Sequence, residues 1–401
     1  RPRARPPRRL PPEPAAAPAA PRRRLAGGDA RMVRRGAGAH PPLRRQRRAG
    51  PPPAPLALSL RMPRARTHHG PTPTRGTGGT LSLSGLPRAS HLHRRADMTA
   101  PDALLEWAAD VVGTSRFERV DTLPGGSASA VWRLSARTER GPLTVVAKQL
   151  RPRVTEIDAG LIARERRILE ALGPLALPVP EPLASDPDGI CSGRPALLMS
   201  LVEGELLQGA EALRGAIPAF VDAIDLWQTR ARDVVAGRRF APWFDIAEPR
   251  PRPRSERPEL WARATEIARR FPSPAVTGFI HRDPHPANML FADGRLAGVV
   301  DWPHAGRGPR GVDVSRMAIN LACTLDVDAT RELRERWEHR TGERHDPLLD
   351  IYALLESEEA TERPVPAFEA LDVHLDGTEI RRRLEAFLAD ALQRMTVRRL
   401  S

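Results

Sequence analysis

Between residues 117 and 201 apolar residues recur in short β-branched runs. From Gly204 onward they recur at helical spacing. Strands gathered first and helices gathered after them cannot alternate as β-α-β units, so the order predicts an α+β fold with a small sheet set apart from a larger helical part. A helix comes first: Pro101 and Asp102 suit a first turn, Leu104, Leu105, Ala108, Val111 and Val112 share a face, and Gly113 is a stop. Strands are expected over 117–123, 130–134 and 143–150. Pro124, Gly125 and Gly126 mark the turn after the first strand, and 138–142 the turn after the second. A helix over 161–172 turns Leu161, Ile162, Ile168, Leu169 and Leu172 inward and ends before Pro178, Pro180 and Pro182. Two further strands, near 183–184 and 196–201, flank a turn at 186–189. Helices are then expected over 209–232, 258–270, 312–323, 329–340, 347–360 and 377–395, with a solvated loop at 250–257 and no internal repeat.

The composition changes at Met98. Residues 1–97 hold 22 Arg, no Lys and three acids, a net charge of +19, together with 18 of the 43 prolines. The remaining residues carry 41 basic and 46 acidic side chains, so the chain's overall +14 belongs to the tail. Such a segment has too little apolar surface to offset the entropy of ordering, and it is read as disordered. A nucleic-acid-binding arm and an organelle transit peptide are two readings of it. The preferred third is translation of GC-rich DNA upstream of an initiator at Met98. About 300 residues remain, enough for one two-lobed domain or two smaller ones. The expected division is 98–203 for the small sheet-bearing part and 204–401 for the larger helical part. No apolar stretch approaches the ~20 residues of a membrane span. Two cysteines, Cys191 and Cys323, make neither a disulfide framework nor a zinc site. A cytoplasmic enzyme without a membrane partner is expected, and nucleic acid is expected to concern the basic tail alone.

Lys148 is the only lysine, against 62 arginines. Arginine replaces lysine wherever a positive charge suffices, but not where a compact ammonium must enter a crowded pocket. Lys148 lies in the apolar run LTVVAKQL, and a lysine on such a strand after a Gly-rich turn is how kinases hold the phosphates of ATP. Snorkelling of a chance survivor to water is the alternative.

The polar chemistry concentrates in one island, 278–306. An apolar run delivers His281, Arg282 and Asp283, Asn288 follows five residues later, and Asp301 ends a second apolar run at 296–300. Two short strands joined by an Asp293–Gly294 turn bring Asn288 and Asp301 together as a hard-oxygen pair suited to Mg²⁺. Asp283 lies within reach of an incoming hydroxyl, and His281 buttresses the loop. His281 and His285 have an H-x₃-H spacing, but Pro284 and Pro286 forbid the regular helix that would pair them on zinc.

His281-x-Asp283-x₄-Asn288 followed by Asp301-Trp302 resembles the aminoglycoside phosphotransferase and choline kinase-like branch of the protein kinase-like fold. The resemblance extends over nearly all of 115–325. It implies a two-lobed fold, ATP and Mg²⁺ as cofactors, and a small-molecule hydroxyl acceptor. It also implies roles. Asp283 is the catalytic base or orienter, and Asn288 and Asp301 are metal ligands. Gly125, Gly126 and Ser127 form the phosphate loop, Lys148 binds phosphate, and Glu165 pairs with Lys148. Met199, Ser200 and Leu201 lie in the hinge that holds adenine. Asp313 resembles the later aspartate of the substrate side, although an N-cap explains it equally well. The loop lacks the GxGxxG of protein kinases, Asp301 precedes Trp-Pro rather than Phe-Gly, and no Ala-Pro-Glu follows; these departures favour a small-molecule kinase.

The acceptor is the least determined partner. Nine acids and one base, Arg363, fall between 346 and 376, and such a surface would attract a polycation such as an aminoglycoside, unless these acids are solvated helix faces. Two other functions stay open: a kinase-like protein that binds nucleotide without catalysis, and nucleic-acid binding through the tail.

Overall fold

The computed structural model describes residues 99–124, 128–158, 160–243, 255–271, 274–357 and 366–397. The tail, Met98, and the expected turn residues Gly125, Gly126 and Ser127 lie outside the described residues, as do 250–254 of the loop expected at 250–257.

The expected α+β order is what the chain adopts. α1 (Asp102–Val112) ends as predicted, with Gly113 at φ 72° donating its N–H to Ala109 O. The left-handed conformation needed there carries no Cβ penalty for glycine. Five antiparallel strands follow in the order β1 (Arg119–Leu123), β2 (Ser129–Thr138), β3 (Gly141–Leu150), β5 (Ala196–Ser200), β4 (Pro182–Asp186). The β2–β3 hairpin is the longest ladder, pairing Ser129 with Leu150 at one end and Thr138 with Gly141 at the other. The Thr138 hydroxyl closes its turn by donating to Gly141 O and accepting from Arg140 N.

Alternation along β3 splits the core into two. Val145 and Ala147 pack with Trp132, Leu134 and Leu198 against Leu104 and Ala108 of α1. Val146 and Leu150 pack on the other face with Leu197, Met199 and the predicted inner face of α3 (Leu161–Leu172). Lys148 has the parity of Val146 and Leu150, so it enters on the α3 side. A short helix, α2 (Pro152–Asp158), was not expected; seven residues containing Val, Thr and Ile show no helical period.

The helical part holds α4 (Gly209–Gly215), α5 (Ile217–Arg230), α6 (Pro258–Arg270), α7 (Gly311–Thr324), α8 (Val327–Thr341), α9 (Pro347–Glu356), α10 (Pro366–Glu369) and α11 (Gly377–Val397). The single helix expected over 209–232 is two. Pro218, in the first turn of α5, cannot donate to a preceding turn, so the helix restarts at Ala216. α9 stops at Glu356 rather than 360.

Three short strands were missed as a sheet. β6 (Arg238–Arg239), β10 (Gly306–Gly308) and β7 (Gly278–Ile280) lie in the order β6-β10-β7, parallel then antiparallel. β8 (Met289–Ala292) and β9 (Arg295–Val299) form the predicted hairpin, and Asp293 (φ 50°) with Gly294 (φ 71°) has the doubly left-handed turn that an Asp-Gly pair favours. Among the described residues no helix is long and apolar enough to cross a membrane.

Candidate active site

Lys148 and Glu165 meet across the sheet-to-α3 contact. Lys148 Nζ donates to Glu165 Oε2 at 2.6 Å and to Asp301 Oδ1 at 2.7 Å. Lys148 is 7 % exposed and Glu165 2 %. An ammonium so deep is tolerable because it is paired on two sides. Burial alone would lower its pKa, but the Asp301 and Glu165 carboxylates raise it above the ordinary lysine value. Asp301 answers in the other sense: burial opposes its charge, yet Lys148 draws its pKa below the usual carboxylate range. Burial leaves Glu165 raised despite Lys148. Glu165 also accepts the Trp302 N–H at 3.2 Å, so one side chain of α3 holds both the lysine and the chain just after Asp301.

β7 delivers the loop that follows. His281 is fully buried, its Nε2 within 3.1 Å of Val300 O and its ring 4.3 Å from that of Trp302. It braces the turn before Asp301, as expected. Arg282 adopts φ 77°, a strained conformation for a non-glycine residue. Asp313 holds this turn in place. Its carboxylate accepts the His281 and Arg282 backbone N–H groups at 3.1 and 2.9 Å, Trp227 Nε1 at 2.8 Å and Gln228 Nε2 at 3.1 Å. Asp313 is not the N-cap of α7; Arg310 is, and Asp313 sits inside the first turn. Of the two readings its position allowed, the cap is the wrong one.

Asp283 Oδ1 accepts from Arg316 Nη2 at 2.9 Å, and its backbone carbonyl accepts from Asn288 Nδ2 at 3.1 Å. Burial would raise the Asp283 carboxyl, but Arg316, His304 and His285 beside it bring its pKa down to about 2. Val300 N donates to Asn288 O at 2.9 Å, which sets Asn288 next to the chain entering Asp301. Nδ2 of Asn288 is engaged by the Asp283 carbonyl, so Oδ1 is the side-chain atom left to ligate a cation. Asp301, with φ 68°, engages Lys148 through Oδ1 and keeps Oδ2. Two hard oxygens from neighbouring segments of the chain suit a Mg²⁺ ion accompanied by phosphate. Lys148, Glu165, Asp283, Asp301 and His304 line one cleft with Ser129, whose buried Oγ has no partner. An orphaned hydroxyl beside an ammonium fits a phosphate oxygen.

The expected hinge lies at the end of β5. Met199 pairs with Val146 and is 6 % exposed, and Ser200 exchanges bonds with Glu181 through its N–H and its Oγ. Beyond Leu201 the chain presses on the β8–β9 hairpin. A Cβ on Gly298 would stand 2.2 Å from Val202 Cγ1, and Glu205 and Phe291 exchange both backbone hydrogen bonds at 2.8 Å. Gly125, Gly126 and Ser127 fall outside the described residues.

Sequence reasoning missed several neighbours of Asp283. Arg282 donates to both oxygens of Glu356 at 2.7 and 3.1 Å, with side-chain exposures of 5 % and 0 %. Trp243 stacks near Arg282, Arg316 and His304. One signal for Arg316 was present: it follows Asp313 by three residues, so the helix must turn both toward the same loop. Nothing local marked Glu356 or Trp243. The acids of 346–376 that the structure describes are largely engaged within the chain. Asp346 and Asp376 cap helices, Asp350 binds Ser315, His345 and Arg394, Glu356 binds Arg282, and Asp372 meets His374. Glu358, Glu359 and Glu362 lie outside the described residues.

Residues 119–355 match the family model described as the phosphotransferase enzyme family. Comparison with curated proteins returns no match. Among solved structures, a thermostable mutant of aminoglycoside phosphotransferase APH(4)-Ia in ternary complex with ADP and hygromycin B is 16 % identical, over 72 % of this chain and 98 % of that one, with a TM-score of 0.49. Aminoglycoside-3'-phosphotransferase of type VIII is 18 % identical over 64 % and 99 %, with a TM-score of 0.48. The choline kinase LicA from Streptococcus pneumoniae is 14 % identical over 71 % and 97 %, with a TM-score of 0.48.

Proposed function

The chain belongs to the phosphotransferase enzyme family, and we propose that it transfers the γ-phosphoryl group of ATP to a hydroxyl of a small molecule. The observation that carries this reading is Lys148 Nζ held between Glu165 and Asp301 at 2.6 and 2.7 Å, in the cleft that Asp283 also lines. Phosphoryl transfer passes through a loose transition state, so positioning and charge are the protein's main contributions. Lys148, kept charged and oriented by Glu165, takes the α- and β-phosphates, joined by Ser129 Oγ and the backbone of the loop at Gly125, Gly126 and Ser127. Met199, Ser200 and Leu201 form the hinge beside the adenine edge, which takes the backbone groups that pairing with β3 and Glu181 leaves free. Asn288 Oδ1 and Asp301 Oδ2 are the oxygens offered to Mg²⁺, which would neutralise charge on the β- and γ-phosphates.

Asp283 has one carboxylate oxygen on Arg316 and the other left for the acceptor. With a pKa of about 2 it is a weak base. It therefore orients the hydroxyl and takes its proton late, when the bond to phosphorus has lowered the hydroxyl's own pKa. We divide the chain as an N-lobe over 98–203 that binds nucleotide and a C-lobe over 204–401 that holds the acceptor.

Thermal unfolding with and without Mg²⁺-ATP, for the wild type and Asp301→Ala in parallel, tests the reading. A rise in Tm that needs Mg²⁺ and is lost in the variant is expected; saturation at 100 times Kd stabilises by about 2.7 kcal/mol. No rise in the wild type at millimolar Mg²⁺-ATP would remove the nucleotide site. A rise without ADP release for any acceptor would leave a nucleotide-binding protein that does not catalyse.

A further inference from the structure

We propose that the hydroxyl compound phosphorylated by this chain carries an anionic group, a carboxylate or a phosphate, and that Arg316 binds it. The inference rests on the kinase reading above and names the acceptor's chemistry. Arg316 is brought to the catalytic loop by α7, one turn beyond Asp313. Its side chain is 14 % exposed. A guanidinium carries a planar fork of N–H donors, and here the fork is largely unmatched. Nη2 donates to Asp283 Oδ1 at 2.9 Å. Nη1 lies 3.9 Å from Glu356 Oε2, beyond hydrogen-bond reach, and both oxygens of that carboxylate already serve Arg282. Nε is buried and has no partner among the described residues. Trp243 covers the group, its ring centroid 4.9 Å from the guanidinium carbon.

Donors of a charged group left without acceptors in a dry site are costly, and an oxyanion that meets two of them at once removes the cost. The place of the fork gives it a function. A group bound to Arg316 would lie beside the hydroxyl that Asp283 orients. An ammonium in that position would meet a guanidinium already seated on the same carboxylate, where the low dielectric strengthens repulsion. Of the described acids that could have offset this repulsion, Glu356 is paired with Arg282 and Asp350 with Arg394. Negative charge on the acceptor matches this wall and a polycation does not.

The test uses the full chain with Mg²⁺-ATP and two matched sets of acceptors, read as ADP release. One set is glycerate, glycerol 3-phosphate, glycerol and 3-amino-1,2-propanediol. The other is glucuronate, glucose 6-phosphate, glucose and glucosamine, with kanamycin as a polycation. An anionic member is expected to have the highest kcat/KM, and the carboxylate and phosphate arms separate the two sources. Arg316→Gln is expected to raise KM for that acceptor at least tenfold while keeping the Mg²⁺-ATP shift in Tm. Arg316→Lys, which keeps a point charge, is expected to fall between. Preference for a neutral or ammonium member, or a loss in kcat alone in Arg316→Gln, would overturn the inference. So would a Tm shift by Mg²⁺-ATP with no ADP release from either set, which leaves the nucleotide reading standing. No Tm shift would overturn that reading as well.

Discussion

At the scale of single residues, Lys148 is where sequence and structure agree most closely. A composition that has replaced every other lysine with arginine keeps this one, and its ammonium fills a space between two carboxylates at 2.6 and 2.7 Å. A guanidinium is wider and directs its donors in a plane. Lys148→Arg is therefore expected to lower kcat/KM for Mg²⁺-ATP by at least ~100-fold, about 2.7 kcal/mol, without unfolding the chain. Steady-state kinetics of the variant would show it, and near-wild-type turnover would make the retained lysine an accident. Glu165 was legible only through resemblance, since Arg164 and Arg166 beside it also suit a solvated helix face. Arg316 was not read at all: its place three residues after Asp313 was the one signal, and among 62 arginines it does not stand out until its partner is known.

At the scale of elements, amphipathic helices were legible and short strands were not. α6 runs over the predicted Pro258–Arg270 because its buried face recurs at helical spacing. β6, β7 and β10 have two or three residues each, too few to show a period. Their sheet sets the direction in which the chain enters His281. Gly306, in the middle strand β10, has no room for a side chain: a Cβ there would stand 1.9 Å from Arg238 O and 2.7 Å from Arg238 N. Both are backbone atoms and cannot rotate aside. Gly306→Ala is expected to destabilise by roughly 3 kcal/mol or more, seen as a lower urea midpoint at unchanged m. An unaltered midpoint would mean that β6 does not pack there.

At the scale of the whole molecule, charge and pH act through groups from distant parts of the chain. The described fold carries half-buried imidazoles that titrate in its stability. Burial holds His285 neutral and lowers its pKa from 6.5 to about 4, and His304 is lowered by burial too. The unfolded chain binds these protons first. The contribution of His285 is thus fully present above pH 6.5, is lost as pH drops toward about 4, and changes no further below. For His285 the loss is at most about 3 kcal/mol. Urea unfolding from pH 7.5 to pH 4 should show this slope, and His285→Asn should make it shallower. An unchanged slope in the variant would mean that His285 is not held neutral.

What the sequence determined by itself was local or periodic: the two-part α+β order, the helix faces, the Asp293–Gly294 turn, and a loop of fixed spacing from His281 to Asn288. These follow from backbone preference and burial, which act between near neighbours. What only the tertiary structure decided was pairing over long separations: Asp313 bracing the turn at Arg282, Glu356 taking Arg282, and Arg316 seated on Asp283 with a fork left open. A charge can be read from a sequence, but its partner is chosen by packing. On the proposed reading, that choice separates the site for phosphate from the site for the acceptor.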